Sequence, residues 1–189
     1  MKKDSRFFLC VFFGLIIAAG VLMKDAAAEP SDVGYRKLML GDSREKIRDI
    51  IKNDFERAYI VSNEGENALA LKKMVVDKTV FLIELIFDHK AILYKINVKI
   101  RKLPGNPDPD EVFKVIEDKY GAPAKRDITN TLDLIATWIL HNGRYEIFFH
   151  NISSWDNFDV QYTDTVLQKQ KEQYDKEMKK KPAKKELEF

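Results

Sequence analysis

Two segments of the chain carry apolar residues at helical spacing. The first stripe consists of Ile47, Ile50, Ile51, Phe55 and Ala58. Asp42 precedes it and can accept hydrogen bonds from backbone N–H groups, while Glu45, three residues on, can reach back to complete a capping box. This pattern predicts a helix that starts at Asp42.

A second helix start follows 66 residues later, at Asp108. Pro109 suits the first helical position, and Glu111 again stands three residues after the predicted cap. Gly121 stands where a left-handed C-cap is expected, and Pro123 prevents the helix from continuing. The apolar stripe of this helix consists of Val112, Val115, Ile116 and Tyr120.

Six segments rich in branched and aromatic residues predict strands, three after each helix. They are residues 69–76, 80–87, 91–100, 135–140, 144–150 and 157–163. In the third segment Ile92, Tyr94, Ile96, Val98 and Ile100 alternate with mostly polar residues. This alternation predicts a strand with one buried face and one solvent-exposed face. Residues 88–90 and the pair Asn142 and Gly143 are the predicted hairpin tips.

The order of these elements predicts an α+β fold, in which helices pack on one face of an antiparallel sheet. Two helix-plus-three-strand units in tandem, residues 35–103 and 108–163, are joined by a Pro- and Gly-rich segment, and together they form the α+β domain of residues 29–163. Whether the units are a true internal repeat stays open at this point.

The composition changes in residues 164–189, which predict a charged C-terminal helix that frays into a tail. Residues 169–185 hold eight lysines against three acidic residues. One interpretation is contact with anionic lipid or an acidic partner, and the other is a solubilising terminus without a partner. The lysines of the predicted membrane-surface contact are Lys169, Lys171, Lys176, Lys179, Lys180 and Lys181.

The N-terminus has the order of features typical of a secretory signal peptide. Lys2, Lys3 and Arg6 precede the apolar residues 7–23, and alanines at 26–28 provide a cleavage site. We expect residues 1–28 to be removed near Ala28 and the mature chain to be periplasmic or secreted. The alternative is an inner-membrane signal anchor, because the apolar run approaches the roughly 20 residues that span a bilayer.

Composition narrows the class of protein. The chain has 189 residues, of which 45% are hydrophobic and 33% charged, and this balance is typical of a globular protein. The formal net charge of +2 provides no electrostatic argument for nucleic-acid binding. The single cysteine, Cys10, lies in the predicted signal peptide, so the mature chain must fold without disulfides.

No motif predicts catalysis, a metal or a cofactor. The three histidines, His89, His141 and His150, lack metal-ligand spacing. The sequence contains no G-x-S-x-G elbow, P-loop or G-x-G-x-x-G motif. We therefore expect a binding protein rather than an enzyme, and no cofactor.

Four residues are candidates for binding. Trp155 and Phe158, in a polar segment, are predicted to be exposed anchors for a partner. Phe148 lies in a strand that is apolar on both faces, which favours an interface. Glu84 lies in an otherwise apolar strand, where it would bind a ligand if buried; alternatively it is exposed, or pairs with a lysine across the strand.

Short motifs at the helix ends are similar to a known family. Leu40, Gly41, Asp42 and Ser43, with Glu45 and Ile47, and the later Tyr120, Gly121, Ala122 and Pro123 resemble the pattern of SmpA/OmlA-type periplasmic proteins. The resemblance covers residues 35–163. It implies a non-catalytic envelope-binding module with the αβ fold of the β-lactamase-inhibitor-protein-like group. In the family the two motifs bracket one helix, whereas here they lie on different helices, and the lipobox is missing.

These observations lead to three hypotheses. The first is a periplasmic non-catalytic binding or adaptor protein of the bacterial cell envelope, which contacts an envelope protein or lipid component through its sheet and the loop around Trp155. The second is a carrier of a small apolar ligand or lipid, held between helix and sheet with Glu84 as the polar contact. The third is an envelope-polymer hydrolase that uses paired carboxylates. An apolar cavity of roughly 300 Å³ or more would favour the carrier.

Overall fold

The computed structural model describes residues 32–55, 57–75, 78–129 and 133–180. A short hairpin of β1 (Gly34–Tyr35) and β2 (Leu38–Met39) precedes helix α1 (Arg44–Ile50), which continues as a π-helical turn, Ile51–Phe55. The next strands are β3 (Ile60–Glu64), β4 (Ala68–Val75), β5 (Lys78–Phe87) and β6 (Leu93–Arg101). Helix α2 (Pro109–Tyr120) is followed by β7 (Lys125–Ile128), β8 (Leu134–Leu140), β9 (Tyr145–Asn151) and β10 (Asn157–Asp164), and helix α3 (Thr165–Lys180) comes last.

The predicted signal peptide and Lys181 lie outside the described residues. Within the described ranges, none of the helices has the length and apolar character needed to cross a bilayer.

In the part of the chain that the structure describes, strands β3 to β10 form one antiparallel sheet of eight strands. Their order is β3-β4-β5-β6-β10-β9-β8-β7. The α+β class, with helices and a large antiparallel sheet, is therefore confirmed. The predicted number of strands, three after each helix, was too low, because β3 adds a fourth strand to the first half and β7 adds a fourth to the second. Both are edge strands, and all four side chains of β7 are exposed, so β7 lacks the alternation that marks a buried strand.

The buried core lies between one face of this sheet and helices α1 and α2. Ile47 and Phe55 come from the α1 segment and Phe113 and Ile116 from α2. The ring centroid of Phe113 lies 5.3 Å from that of Trp138 and 5.5 Å from that of Phe149, so α2 packs directly on β8 and β9.

Phe158 belongs to this core, and the expectation that it is an exposed anchor is wrong. Its side chain is 0% exposed. Strand β10 begins at Asn157, so Phe158 is its first inward-facing residue, opposite Ile100 of β6. A sequence segment that looks like a polar loop is in fact divided between the loop that holds Trp155 and the start of a central strand.

The caps of α2 are at the predicted residues, whereas the N-cap of α1 lies one residue after the predicted one and its helical segment ends at Phe55, before Ala58. The Asp108 side chain accepts from the Asp110 N–H at 2.9 Å while Glu111 accepts from the Asp108 N–H, and Gly121 has a φ of 81°. In α1 the cap is Ser43 rather than Asp42, whose buried carboxylate accepts from Lys46 Nζ at 2.7 Å.

Two predicted apolar patterns shift in the fold. On α2, Phe113 is buried while Val115 is 66% exposed, so Val115 does not belong to the core stripe. At the start of β6 the register shifts opposite Ile86 and Phe87, which is a β-bulge. As a result Leu93 enters the core, whereas the sequence pattern assigned Ile92 and Tyr94 to that face.

Helix α3, the predicted charged C-terminal helix, is held at its first turn. Asp164, at the end of β10, is fully buried, and its Oδ1 accepts from the backbone N–H groups of Val166 and Leu167, each at 3.0 Å. Arg144 Nε donates to its Oδ2 at 3.3 Å. The carboxylate is thus both a helix cap and half of an ion pair, and it fixes the direction in which α3 leaves the sheet.

We expect Phe158→Ala to lower the free energy of unfolding by about 3–5 kcal/mol, because it removes a fully buried ring and leaves a cavity. Trp155→Ala, at a site that is 46% exposed, should change it by less than about 1 kcal/mol. Urea unfolding followed by circular dichroism measures both values. Equal losses in the two variants would contradict this assignment of core and surface.

Candidate functional site

The sheet face opposite α1 and α2 is the first candidate. We call it the uncovered face, because α1 and α2 pack on the other side of the sheet. Helix α3 contacts the strands β6 and β10. Strand register places its side chains in rows across the sheet. The central side chains of the uncovered face, taken from β5, β6, β10, β9 and β8 in turn, are Leu82, Glu84, Ile86, Lys95, Asn97, Lys99, Asp159, Gln161, Thr163, Glu146, Phe148, His150, Ile135, Thr137 and Ile139.

Aromatic rings form a row at one end of the uncovered face. The His150 ring centroid lies 5.6 Å from that of Phe148 and 5.2 Å from that of Trp155. The backbone N–H of Trp155 donates to the backbone carbonyl of Ile152 at 3.1 Å, and this hydrogen bond holds the loop between β9 and β10 in a turn. The structure therefore brings together two of the predicted anchors, Phe148 and Trp155, and joins them through a histidine.

A shallow depression of about 500 Å³ lies beside this aromatic row. Its lining residues are Lys99, Ser154, Trp155, Asp156 and Asn157. An exposed aromatic ring next to a depression is the arrangement that accommodates a side chain of a binding partner.

Asp159 stands at the centre of the uncovered face, between Lys99 on β6 and His150 on β9. Burial raises the pKa of its carboxyl above the ordinary value, and the nearby Glu84 adds to this effect, while Lys99 and His150 oppose it. Its Oδ1 is buried and has no hydrogen-bond partner among the described residues. A carboxyl of this kind can act as an acid in catalysis, but an open sheet face does not exclude water as catalytic clefts do.

Glu84 is exposed and lies on the uncovered face, so the prediction of a buried ligand contact between helix and sheet is wrong. The inward-facing residues of β5 are Phe81, Ile83, Leu85 and Phe87, which places Glu84 on the other side of the strand. Asn97, directly opposite on β6, donates from Nδ2 to Glu84 Oε2 at 3.5 Å. The alternative of an exposed side chain is the correct one.

A second concave region, which we call the α2 cleft, lies on the helical side of the sheet. It has a volume of about 490 Å³. Its floor is the inward face of β5, β6 and β10, and its walls are α2 and the turn between β1 and β2. Sequence reasoning missed it because residues 34–36, 107–120 and 160–162 come together only in the folded chain.

The predicted lysines of α3 are not equivalent. Lys171 Nζ donates to Asp175 Oδ2 at 2.6 Å, and this hydrogen bond raises the pKa of Lys171. Lys169, Lys176, Lys179 and Lys180 are exposed. Lys171 is therefore engaged within its own helix, while the other four face solvent.

The histidines at the hairpin tips, His89 and His141, contact different residues. His89 stacks on Tyr174 of α3 with ring centroids 4.2 Å apart, and His141 Nε2 lies 3.4 Å from Asp32 Oδ1. Among the residues that the structure describes, no group of three or more metal-binding side chains is suited to an ion.

Comparison with family models, curated proteins and solved structures gave no match to this chain.

The raised pKa of Asp159 predicts a pH-dependent stability. The folded protein binds the Asp159 proton more tightly than the unfolded chain does, because the folded-state pKa is higher. The contribution of this carboxyl to the free energy of unfolding is therefore complete below about pH 4, the ordinary aspartate pKa, and it is lost as the pH rises through the folded-state pKa. Asp159→Asn should therefore be more stable than the wild type at neutral pH, and the difference should vanish in acid. Thermal unfolding across this pH range measures it.

Asp156→Asn is the matched control, because Asp156 lies in the neighbouring loop and its side chain is 86% exposed. At neutral pH its free energy of unfolding should stay within about 1 kcal/mol of the wild-type value. An Asp159→Asn variant that is less stable than the wild type at neutral pH would show that the charged carboxylate is favoured by its surroundings.

Proposed function

We propose that this chain is a non-catalytic binding or adaptor protein of the bacterial cell envelope, which contacts a protein partner through the uncovered face of its sheet. The observation that carries the proposal is the aromatic row of Phe148, His150 and Trp155 beside a depression on that face. Trp155 is exposed, and Phe148 and His150 are half-buried. Tryptophan and phenylalanine side chains at a protein surface are enriched in the cores of protein interfaces.

The composition of the uncovered face supports a protein partner over simple solvation. Large apolar side chains, Leu82, Ile86, Ile135 and Ile139, lie among its polar residues, and Ile139 is half exposed. Asn97 Oδ1 and Asp159 Oδ1 are buried and lack hydrogen-bond partners among the described residues. Because unsatisfied buried polar atoms are costly, a partner that rearranges or hydrates them would gain affinity.

The envelope location rests on the N-terminal pattern of residues 1–28, and it agrees with the resemblance to SmpA/OmlA-type modules. We further propose that the two halves are equivalent tandem units. The sheet order supports this, since each half has a helix followed by four strands, and the last strand of each half lies at the centre of the sheet.

Contact of α3 with a membrane surface is part of the same proposal. Lys169, Lys176 and Lys180 are exposed and spaced seven and four residues apart, which places them on one side of the helix. Each lysine near an anionic lipid surface contributes about 1 kcal/mol of attraction.

The carrier hypothesis is the second candidate, and the α2 cleft favours it. The cleft volume of about 490 Å³ exceeds the roughly 300 Å³ that a small-molecule site requires. Glu84 is not part of this cleft, so the ligand would be held by other residues.

Capture of envelope proteins by the immobilised purified protein, followed by native mass spectrometry, tests the adaptor function. We expect a stoichiometric protein partner, and we expect the double variant Phe148→Ala with Trp155→Ala to retain about tenfold less of it, because interface aromatic residues carry much of the binding free energy.

Val115→Ala is the matched control, since Val115 is an exposed apolar residue on the helical side of the sheet. It should capture as much partner as the wild type. Equal capture by the double variant would remove the uncovered face as the contact surface, and a bound small molecule without protein would favour the carrier.

A further inference from the structure

The α2 cleft has an apolar interior that the fold leaves unfilled. Phe81, Ile100 and Val160 form its floor, and Val112 and Ile116 of α2 line its side. Protein interiors are normally packed to high density, because an empty space forfeits dispersion contacts. An open, mostly apolar space of about 490 Å³ next to the core therefore favours an apolar ligand.

One polar group lies deep in this apolar surface. Tyr162 is 5% exposed and lines the cleft, and burial raises the pKa of its hydroxyl. The neighbouring Tyr120 hydroxyl lies 3.4 Å from both the backbone nitrogen and the backbone oxygen of Gly34. In a mostly apolar cleft, a hydroxyl such as that of Tyr162 orients a ligand by hydrogen bonding to its polar group.

Two cations stand at the rim of the cleft. Arg36 extends from the turn between β1 and β2, and its guanidinium lies 5.5 Å from the Tyr35 ring centroid. Lys119 of α2 donates from Nζ to the Asp32 carbonyl at 3.2 Å. Neither forms an ion pair with a carboxylate in the described part of the chain. The acidic residue of the rim, Glu111, accepts a hydrogen bond from the Asp108 N–H at the start of α2.

From these three features we infer that the α2 cleft binds a small amphipathic carboxylic acid. Its apolar body lies over Ile100 and Val160, its carboxylate meets Arg36 and Lys119 at the rim, and a hydroxyl or carbonyl on the body bonds to the Tyr162 hydroxyl. The charged group belongs at the rim because a carboxylate deep in the cleft would lose its hydration. This site is separate from the partner surface proposed above, which lies on the opposite face of the sheet.

The fluorescent probe 6-hydroxy-2-naphthoic acid has the features of this ligand class, with a carboxylate and a hydroxyl at opposite ends of an apolar ring system. Titration of the full purified protein with it should give saturable binding. Its methyl ester, which lacks the charge, should bind about tenfold more weakly, and 2-naphthoic acid, which lacks the hydroxyl, should also bind more weakly.

Variants assign each part of the site. Tyr162→Phe should abolish the difference in affinity between the two acids, because it removes the hydroxyl that tells them apart. Arg36→Gln with Lys119→Gln should weaken binding of the acid about tenfold and leave binding of the ester unchanged. Val115→Trp, at an exposed position on the cleft wall, should obstruct all three ligands.

Lys37→Gln is the matched control, because Lys37 follows Arg36 in the same turn but pairs with Asp54 at 2.6 Å. It should bind the acid as the wild type does. The inference is overturned by absence of saturable binding, by equal affinity for acid and ester, or by a Lys37→Gln effect as large as that of the double variant Arg36→Gln with Lys119→Gln. Capture of a protein partner on the uncovered face would be unaffected by any of these outcomes.

Discussion

The antiparallel pairing of β6 with β10 joins the two halves of the protein into one sheet. Val98 lies opposite Val160 and Ile96 opposite Tyr162, in the middle of the strand order. Without this pairing, each half would end in a long strand that had unpaired backbone N–H and C=O groups along one edge. Both helices pack over the apolar surface that this pairing makes continuous, so the core depends on it as much as the sheet does.

Both candidate sites cross this central pair of strands. The floor of the α2 cleft includes Ile100 of β6 and Val160 of β10, while the row of Lys99, Asp159 and His150 on the uncovered face spans the same strands from the other side. Because successive residues of a strand point to opposite faces, one register determines both surfaces. A slip of one residue would exchange them and place Asp159 in the core.

The helices are held to this sheet by polar contacts at their ends, which also define the sites. Trp138 Nε1 donates to the Gly121 carbonyl at 2.7 Å, just after α2, and thereby fixes the C-terminal end of the cleft wall. At the other end of α2, Asp108 and Glu111 form a capping box that satisfies backbone N–H groups. Glu111 is also the acidic residue of the cleft rim, so its carboxylate is already hydrogen-bonded there. The same local interactions that end a helix therefore set the charge of the neighbouring surface.

Local chemistry made much of this architecture predictable from the sequence. The Asp108 cap, the Gly121 end of α2, the hairpin at Asn142 and Gly143 and six of the strands depend on neighbouring residues, and all are present in the fold. Trp155 was recognised as an exposed aromatic residue because it lies in a polar segment.

Other features depended on contacts between distant residues, and only the tertiary structure decided them. The edge strands β3 and β7 form by backbone pairing. Ile60 and Val61 of β3 and all four side chains of β7 are exposed, so an alternation of buried and exposed residues does not mark them. The burial of Phe158 and the exposure of Glu84 follow from strand register, which apolar content alone does not specify. The α2 cleft unites residues more than a hundred positions apart, and its shape arises from how α2 and the β1–β2 turn pack on the sheet. Periodicity and capping are encoded within a few residues of sequence, whereas register and cavities are properties of the assembled surfaces.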